Sequence, residues 1–510
     1  MRMTKAFVGV SLLALAWASG IQAAQDKVLV YHLPAPPDLL DPAKCSNLRC
    51  QAVMWPIYEA LVDLSRDSKG VLPGLAESWV VSRDGLTYTF RLRKGVTFHD
   101  GTAFDAMAAK INLERNFLKG SRFYTAEPPN VREKVLAGAI RDVIVQDEHT
   151  LTITFKDRKL HLLFLVPMVS PEALAKQGRK LGEHPVGTGP FKFIRSTEDE
   201  VRLAANPGYW GGRPKLDEIS FRIIPQWERT MQEFLAGRID FSREVEPLYL
   251  ERIMANPATK LIRVPALSIY YLGFNLSRKP FDDIRVRQAV TKAIDIERMV
   301  LFVSRGTAVP AYGPIPPAAD GYDPALKKPR FDPEGARRLL REAGHASGLR
   351  ASLLVNVASG FVSEIAQAVK ADLAKIGVAV EVVPISGYPT LVKDVRRGEG
   401  DLFIYNWFSL SPDPEIFLLP NFRTASVDNL TRYSNPQVDA LLDQAATPRD
   451  STERLELYRK AQTIIVNDAP MVFLLHSVRV SAHHARVSGL DLNVHSFPID
   501  RFVRVDTRPE

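Results

Sequence analysis

Along the first part of the chain, apolar side chains recur at every second position. Tyr88, Phe90 and Leu92 alternate with Thr89, Arg91 and Arg93, the period of a strand with one face buried. Val96 and Phe98 continue the pattern up to His99-Asp100-Gly101, where Asp-Gly suits a tight turn needing positive φ. Asp105 stands where a helix N-cap belongs, which predicts a helix through Leu118 with Met107 and Ile111 one turn apart. Val143 and Val145, then Leu151, Ile153 and Phe155, flank Asp147–Thr150 as a second hairpin. Val201 and Leu203, followed by Ile219, Phe221 and Ile223, add further alternating strands.

Later in the chain the period lengthens and strands begin to alternate with helices. Asp282 or Asp283 caps a helix whose inward face is Val286, Val290, Ala293 and Ile294. Asp332-Pro333 is an N-cap followed by a proline in the first turn, and that helix buries Ala336, Leu339, Leu340 and Ala343 before Gly344 ends it. A strand at Ala351–Val357, a helix at Val362–Ile376, a strand at Val378–Val383, a helix at Thr390–Arg397 and a strand at Leu402–Trp407 complete a βαβαβ run. A further helix begins near Asp450 with Glu453 completing a capping box, burying Leu455, Tyr458 and Ile465, and Leu474 and Leu475 lie in a late strand. Alternation of this kind predicts a parallel sheet covered on both faces, with ligands beyond the carboxyl ends of its strands. Those ends are Ala358-Ser359-Gly360-Phe361 and Asn406-Trp407-Phe408-Ser409, where Trp407 and Phe408 could stack on a ligand while Ser359, Gly360 and Ser409 leave room and hydrogen-bonding backbone, and Trp407 reads equally well as core.

Composition narrows the class of protein. The 510 residues are 46% hydrophobic and 24% charged, a globular balance that is long enough for two to four domains. Arg2 and Lys5 precede an apolar stretch from Ala6 to Ala18 and a small-residue exit, the pattern of a secretory signal ending after Ala23 or Ala24. No other apolar run approaches the roughly 18–20 residues of a membrane span. The net charge of +8 is dispersed over short pairs such as Arg337-Arg338 and Arg396-Arg397, so nucleic acid is not an expected partner. In an exported chain the two cysteines, Cys45 and Cys50, are read as a local disulfide. No nucleophile elbow and no zinc-binding His pair occurs, and His483-His484 would point to opposite faces of a strand. Gly187-Thr188-Gly189-Pro190 lacks the lysine of a phosphate cradle. No enzyme activity, cofactor or metal is expected.

Several blocks occur in a telling order. These are Leu40-Asp41-Pro42-Ala43, Ile57–Val62 (IYEALV), Pro73–Trp79, the run from Asp84 to Phe104, Pro185–Phe191 (PVGTGPF), Asn206–Gly211 (NPGYWG), Phe281–Val290 and Asp413-Pro414. Together they resemble the extracellular solute-binding proteins of peptide/nickel-type ABC transporters, the dipeptide- and oligopeptide-binding class. The resemblance implies an α/β, periplasmic-binding-protein type II-like fold of two lobes and three domains closing on a ligand. Domain I would be residues 25–48, 185–268 and 485–510, domain II the insertion 49–184, and domain III residues 269–484, with a hinge near Leu267–Asn275 and Ser481–His484. Trp79, Trp210 and the 84–104 hairpin are expected to serve the fold.

The resemblance also implies a periplasmic monomer that hands a small solute to an inner-membrane ABC permease, and it matches Trp407 to the family's cleft tryptophan; Tyr405, Phe408, Phe361, Ser359, His32 and Asp413 are the further ligand contacts expected. Among these, Asp413 matches a structural Asp-Pro as well as a substitute anchor, and His32 faces the cleft from the loop His32-Leu33-Pro34-Ala35. Two positions depart from the dipeptide-binding pattern. Leu410 stands where an Asp would hold a peptide ammonium, and Asn356 near where an Arg would hold its carboxylate. A larger, less charged or modified ligand is therefore expected in place of a free dipeptide. A metal chelate and, in a different class, a secreted hydrolase acting on peptides or envelope material are the alternatives.

Overall fold

The computed structural model of the chain describes residues 27–45, 47–66, 70–124, 139–156, 163, 166–409, 411–446 and 451–507. The leader at 1–24, Leu410 and the helix cap Asp450 lie outside the described residues. A sheet of eleven strands runs through the molecule. From one edge its order is Val378–Ile385, Leu349–Asn356, Leu402–Phe408, Thr259–Phe274, Met471–His484, Phe241–Ser242, Val28–Leu33, Glu218–Ile223, Glu200–Ala205 and Phe191–Ser196, with Ala308–Pro310 added beside Met471–His484. A separate four-stranded antiparallel sheet holds Ala76–Val81, Thr87–Leu92, Thr150–Phe155 and Ile140–Asp147.

The βαβαβ run forms as its pattern predicts, and its three strands pair in parallel. The expectation of a parallel sheet holds only for that run, because Leu402–Phe408 pairs antiparallel with Thr259–Phe274 and the sheet as a whole is mixed. Both faces of the run are covered. One carries a core of Val286, Val290, Val362, Ile365, Val369 and Leu402. The other carries Leu391, Phe403, Phe417, Leu442, Tyr458 and Ile465. Leu455 is only half-buried, and Leu457 contributes to that core in its place.

Side-chain capping explains the helix starts: Asp283 accepts from Arg285 N, Asp332 from Gly335 N and Ser359 from Val362 N. The helix that Asp105 caps runs from Ala106 to Glu114, short of Leu118, and the side chain of its C-cap Arg115 pairs with buried Asp41 at 3.0 Å. Met107, on its outer side, is exposed.

Three signature segments meet at one buried carboxylate, and a fourth packs on one of its donors. Glu59 of IYEALV accepts from Thr188 Oγ1 of PVGTGPF at 2.8 Å, and from Tyr209 OH at 2.7 Å and Trp210 Nε1 at 3.0 Å of NPGYWG. Arg93, from the 84–104 run, lies over the Trp210 ring at 4.3 Å. Burial raises the Glu59 pKa despite Arg501 and these three donors. The segments are therefore welded together through one acid, a structural duty for the motifs that carry the resemblance.

Two long strands carry the sheet from one half of the molecule to the other. Thr259–Pro265 pairs with Val478–His484, and Ile269–Gly273 with Met471–His476, with a register shift between Pro265 and Ile269. The 478–484 end also lies against Phe241–Ser242, which in turn pairs with Val28–Leu33.

Candidate functional site

Strand alternation sorts the aromatic residues at the end of Leu402–Phe408 onto two faces. Tyr405 and Trp407 share one, where both pack on the core around Phe403 and Phe417. Trp407 donates its indole N–H to the Ile416 carbonyl at 2.9 Å, and Tyr405 meets the Tyr388 ring edge-on at 5.4 Å. Phe408 points the other way and is 62% exposed. Phe361 packs edge-on against Tyr270, with ring centroids 5.4 Å apart. Ser359 caps the helix that follows it. Asp413 accepts from Arg454 Nη2 at 2.8 Å and from the Glu415 N–H at 2.9 Å, so its carboxylate is already engaged by protein groups. Asn356 is likewise occupied, its carbonyl oxygen accepting from the Gly387 and Ala358 N–H groups.

Phe408 borders a cavity of about 350 Å³ whose other walls come from the far half of the molecule. The end of Val28–Leu33 supplies Tyr31, His32, Leu33 and Pro34, and the segment from Asn47 to Gln51 supplies a second wall. His32 is buried and both ring nitrogens are engaged, Nδ1 with Ser242 Oγ at 3.2 Å and Nε2 with the Ile224 carbonyl at 3.0 Å. Trp227 meets its ring edge-on at 5.1 Å. Burial lowers the His32 pKa to about 4, so the imidazole is neutral at pH 7 and is held in place by its neighbours.

Arg243 and Glu244, directly after Phe241–Ser242, also face the cavity. Glu244 accepts from Arg243 Nη2 at 2.6 Å and from Arg479 Nη1 at 3.2 Å. Burial raises its pKa, and the two guanidinium groups more than offset this, keeping it ionised. A disulfide joins Cys45 to Cys50, and the Asn47 side chain caps the next helix by accepting from the Arg49 and Cys50 N–H groups. The staple thus fixes the short segment that presents Asn47, Arg49 and Gln51 to the cavity. Among the described residues no group of three or more His, Cys, Asp or Glu side chains is disposed to hold a metal ion. Of the residues singled out from sequence, His32 and Phe408 border this cavity. Arg49, Trp227, Arg243 and Glu244 were missed, since nothing local marks the three charged residues among 66 Lys+Arg and 58 Asp+Glu, and no motif marks Trp227 among six Trp.

Residues 70–429 match the family described as bacterial extracellular solute-binding proteins, family 5 Middle. The chain belongs to that family. This solute-binding protein is 32% identical to the di/tripeptide-binding protein 2 of Pseudomonas aeruginosa (strain UCBPP-PA14), across 94% of either chain. It is also 32% identical to the glutathione-binding protein GsiB of Pectobacterium atrosepticum, across 92% of either chain. The solved structure of HbpA2 from Haemophilus parasuis superposes with a TM-score of 0.85 at 28% identity, covering 94% of this chain and 99% of that one. As a family member, the protein is the solute-binding component of an ABC importer. No helix among the described residues is long and apolar enough to cross a membrane.

Proposed function

We propose that this protein captures a small peptide or modified peptide in the periplasm, as a monomer, and delivers it to an inner-membrane ABC permease. The observation that carries this reading is the cavity of about 350 Å³ bordered by Phe408 on one side and by His32, Trp227 and Arg243 on the other. That volume lies within the range of small-molecule sites. Relatives named for di/tripeptides and glutathione support the ligand class. The basic, apolar leader and the Cys45–Cys50 disulfide suit an oxidising compartment outside the cytoplasm.

Residues 25–48, 185–268 and 485–510, with 49–184 inserted, form the first lobe in this reading. The strand register supports moving one boundary of the second lobe. Since 478–484 pairs with first-lobe strands, the chain returns near Ser477, where the register shift lies opposite, and the hinge is assigned to Pro265–Ile269 and His476–Val478. A ligand touching both lobes favours the closed arrangement by its differential affinity. Native mass spectrometry of protein released gently from its own periplasm tests the reading. The expected result is an added mass in the range of a small peptide, lost on unfolding. Absence of any retained or added solute, together with time-dependent cleavage of peptide substrates, would replace capture with hydrolysis.

A further inference from the structure

We infer that Arg49 is the residue by which the cavity recognises an anionic group of its ligand, so that the solute taken is one bearing a carboxylate. This rests on the capture reading above and names the chemistry of the same site. Arg49 Nε is shielded from solvent, and no described residue accepts a hydrogen bond from it. The Arg49 side chain makes no ion pair among the described residues, although it borders the cavity. A guanidinium in this state presents paired donors in a fixed plane, the geometry that a carboxylate fits with two parallel hydrogen bonds.

The surroundings point the same way. Arg243 and Arg479 share the single carboxylate of Glu244, and Arg479 Nε is a second buried donor without an acceptor among the described residues. The cavity lining thus holds two guanidinium groups, Arg49 and Arg243, and one acid, Glu244, while His32 is neutral. The opposite wall cannot supply the cation, because residues 351–361 and 402–413 contain neither Lys nor Arg. Charge recognition absent from Asn356 is therefore met from the other lobe, by the segment that the disulfide holds. Phe408 and Trp227 offer the rest of the ligand aromatic surface beside the paired Arg243 and Glu244.

Calorimetric titration tests this with three probes: Ala-Phe, Ala-Ala-Ala and glutathione. Each is offered as the free acid and in capped form, as the C-terminal amide or, for glutathione, the diethyl ester. At least one free acid is expected to bind, roughly 10–100-fold more tightly than its capped partner. Arg49→Ala should erase that preference, Arg49→Lys should keep part of it, and the unliganded thermal midpoint should stay unchanged in both. Arg49→Gln and the salt dependence of wild-type binding provide the same readout if the alanine variant folds poorly.

Equal binding of acid and capped forms, or unaltered acid binding by Arg49→Ala, would overturn the role of Arg49 and leave solute capture standing. A neutral or cationic solute retained from the periplasm, with no probe binding, would do the same. No probe binding and no retained solute would remove both readings.

Discussion

Neighbouring aromatic residues on one strand do different work. Trp407 is partly buried with its indole N–H bound to Ile416, whereas Phe408 is exposed at the cavity. Trp407→Ala should therefore lower unfolding free energy by about 2 kcal/mol, chiefly through lost packing. Phe408→Ala should leave the urea midpoint unchanged and weaken ligand binding by roughly tenfold. Titration calorimetry beside urea unfolding separates the two. A second prediction concerns pH. Burial lowers the pKa of His32 to about 4 and of His476 to about 3, so folding keeps both neutral where the unfolded chain would take up protons. No stability is lost above the ordinary histidine value near 6.5. It falls as the pH drops from there towards 4, by about 2 kcal/mol for each group at pH 5. Urea unfolding at pH 7.5 and 5.0 should show that drop, and His476→Leu should make it shallower.

Among the elements, the helix and strand patterns were legible wherever periodicity was long and a cap stood at its start. Asp283, Asp332 and Ser359 begin their helices because each offers a side-chain oxygen to a free N–H. The end of the Asp105-capped helix at Glu114 was not legible, because no glycine or proline directly follows it to mark the stop. The segment between the cysteines behaves as a stapled element. Reducing Cys45–Cys50, or replacing both with Ser, should cost about 2 kcal/mol for so short a loop. The same change should weaken ligand binding, since Asn47 and Arg49 lie inside or beside the loop and face the cavity. Thermal unfolding and titration with and without reductant measure both effects.

For the whole molecule, the two long strands are the only described members of the main sheet that pair with strands on both sides of the register shift. A bend there changes the distance between the cavity walls without unpairing either half. A ligand held by both walls should therefore stabilise the protein and compact it together. At about 100 times its dissociation constant the gain should be roughly 2.7 kcal/mol. Thermal unfolding gives the first quantity and small-angle scattering the second. A gain in stability with no change in radius of gyration would place the ligand on one lobe alone.

The sequence by itself determined the family, the βαβαβ run, most helix starts and the pairing of two cysteines that are close along the chain. These are local or ordered features, readable from period, caps and motif order. Tertiary structure decided the rest: that the signature segments are spent on Glu59 and its donors, that Trp407 and Phe408 part company, and that Arg49, Arg243 and Glu244 share a cavity with Phe408. The reason is physical. Periodicity reports which face of an element is buried, but it carries no record of which distant charge meets that face. An arginine with no partner among the described residues becomes conspicuous only when the groups around its cavity are seen together.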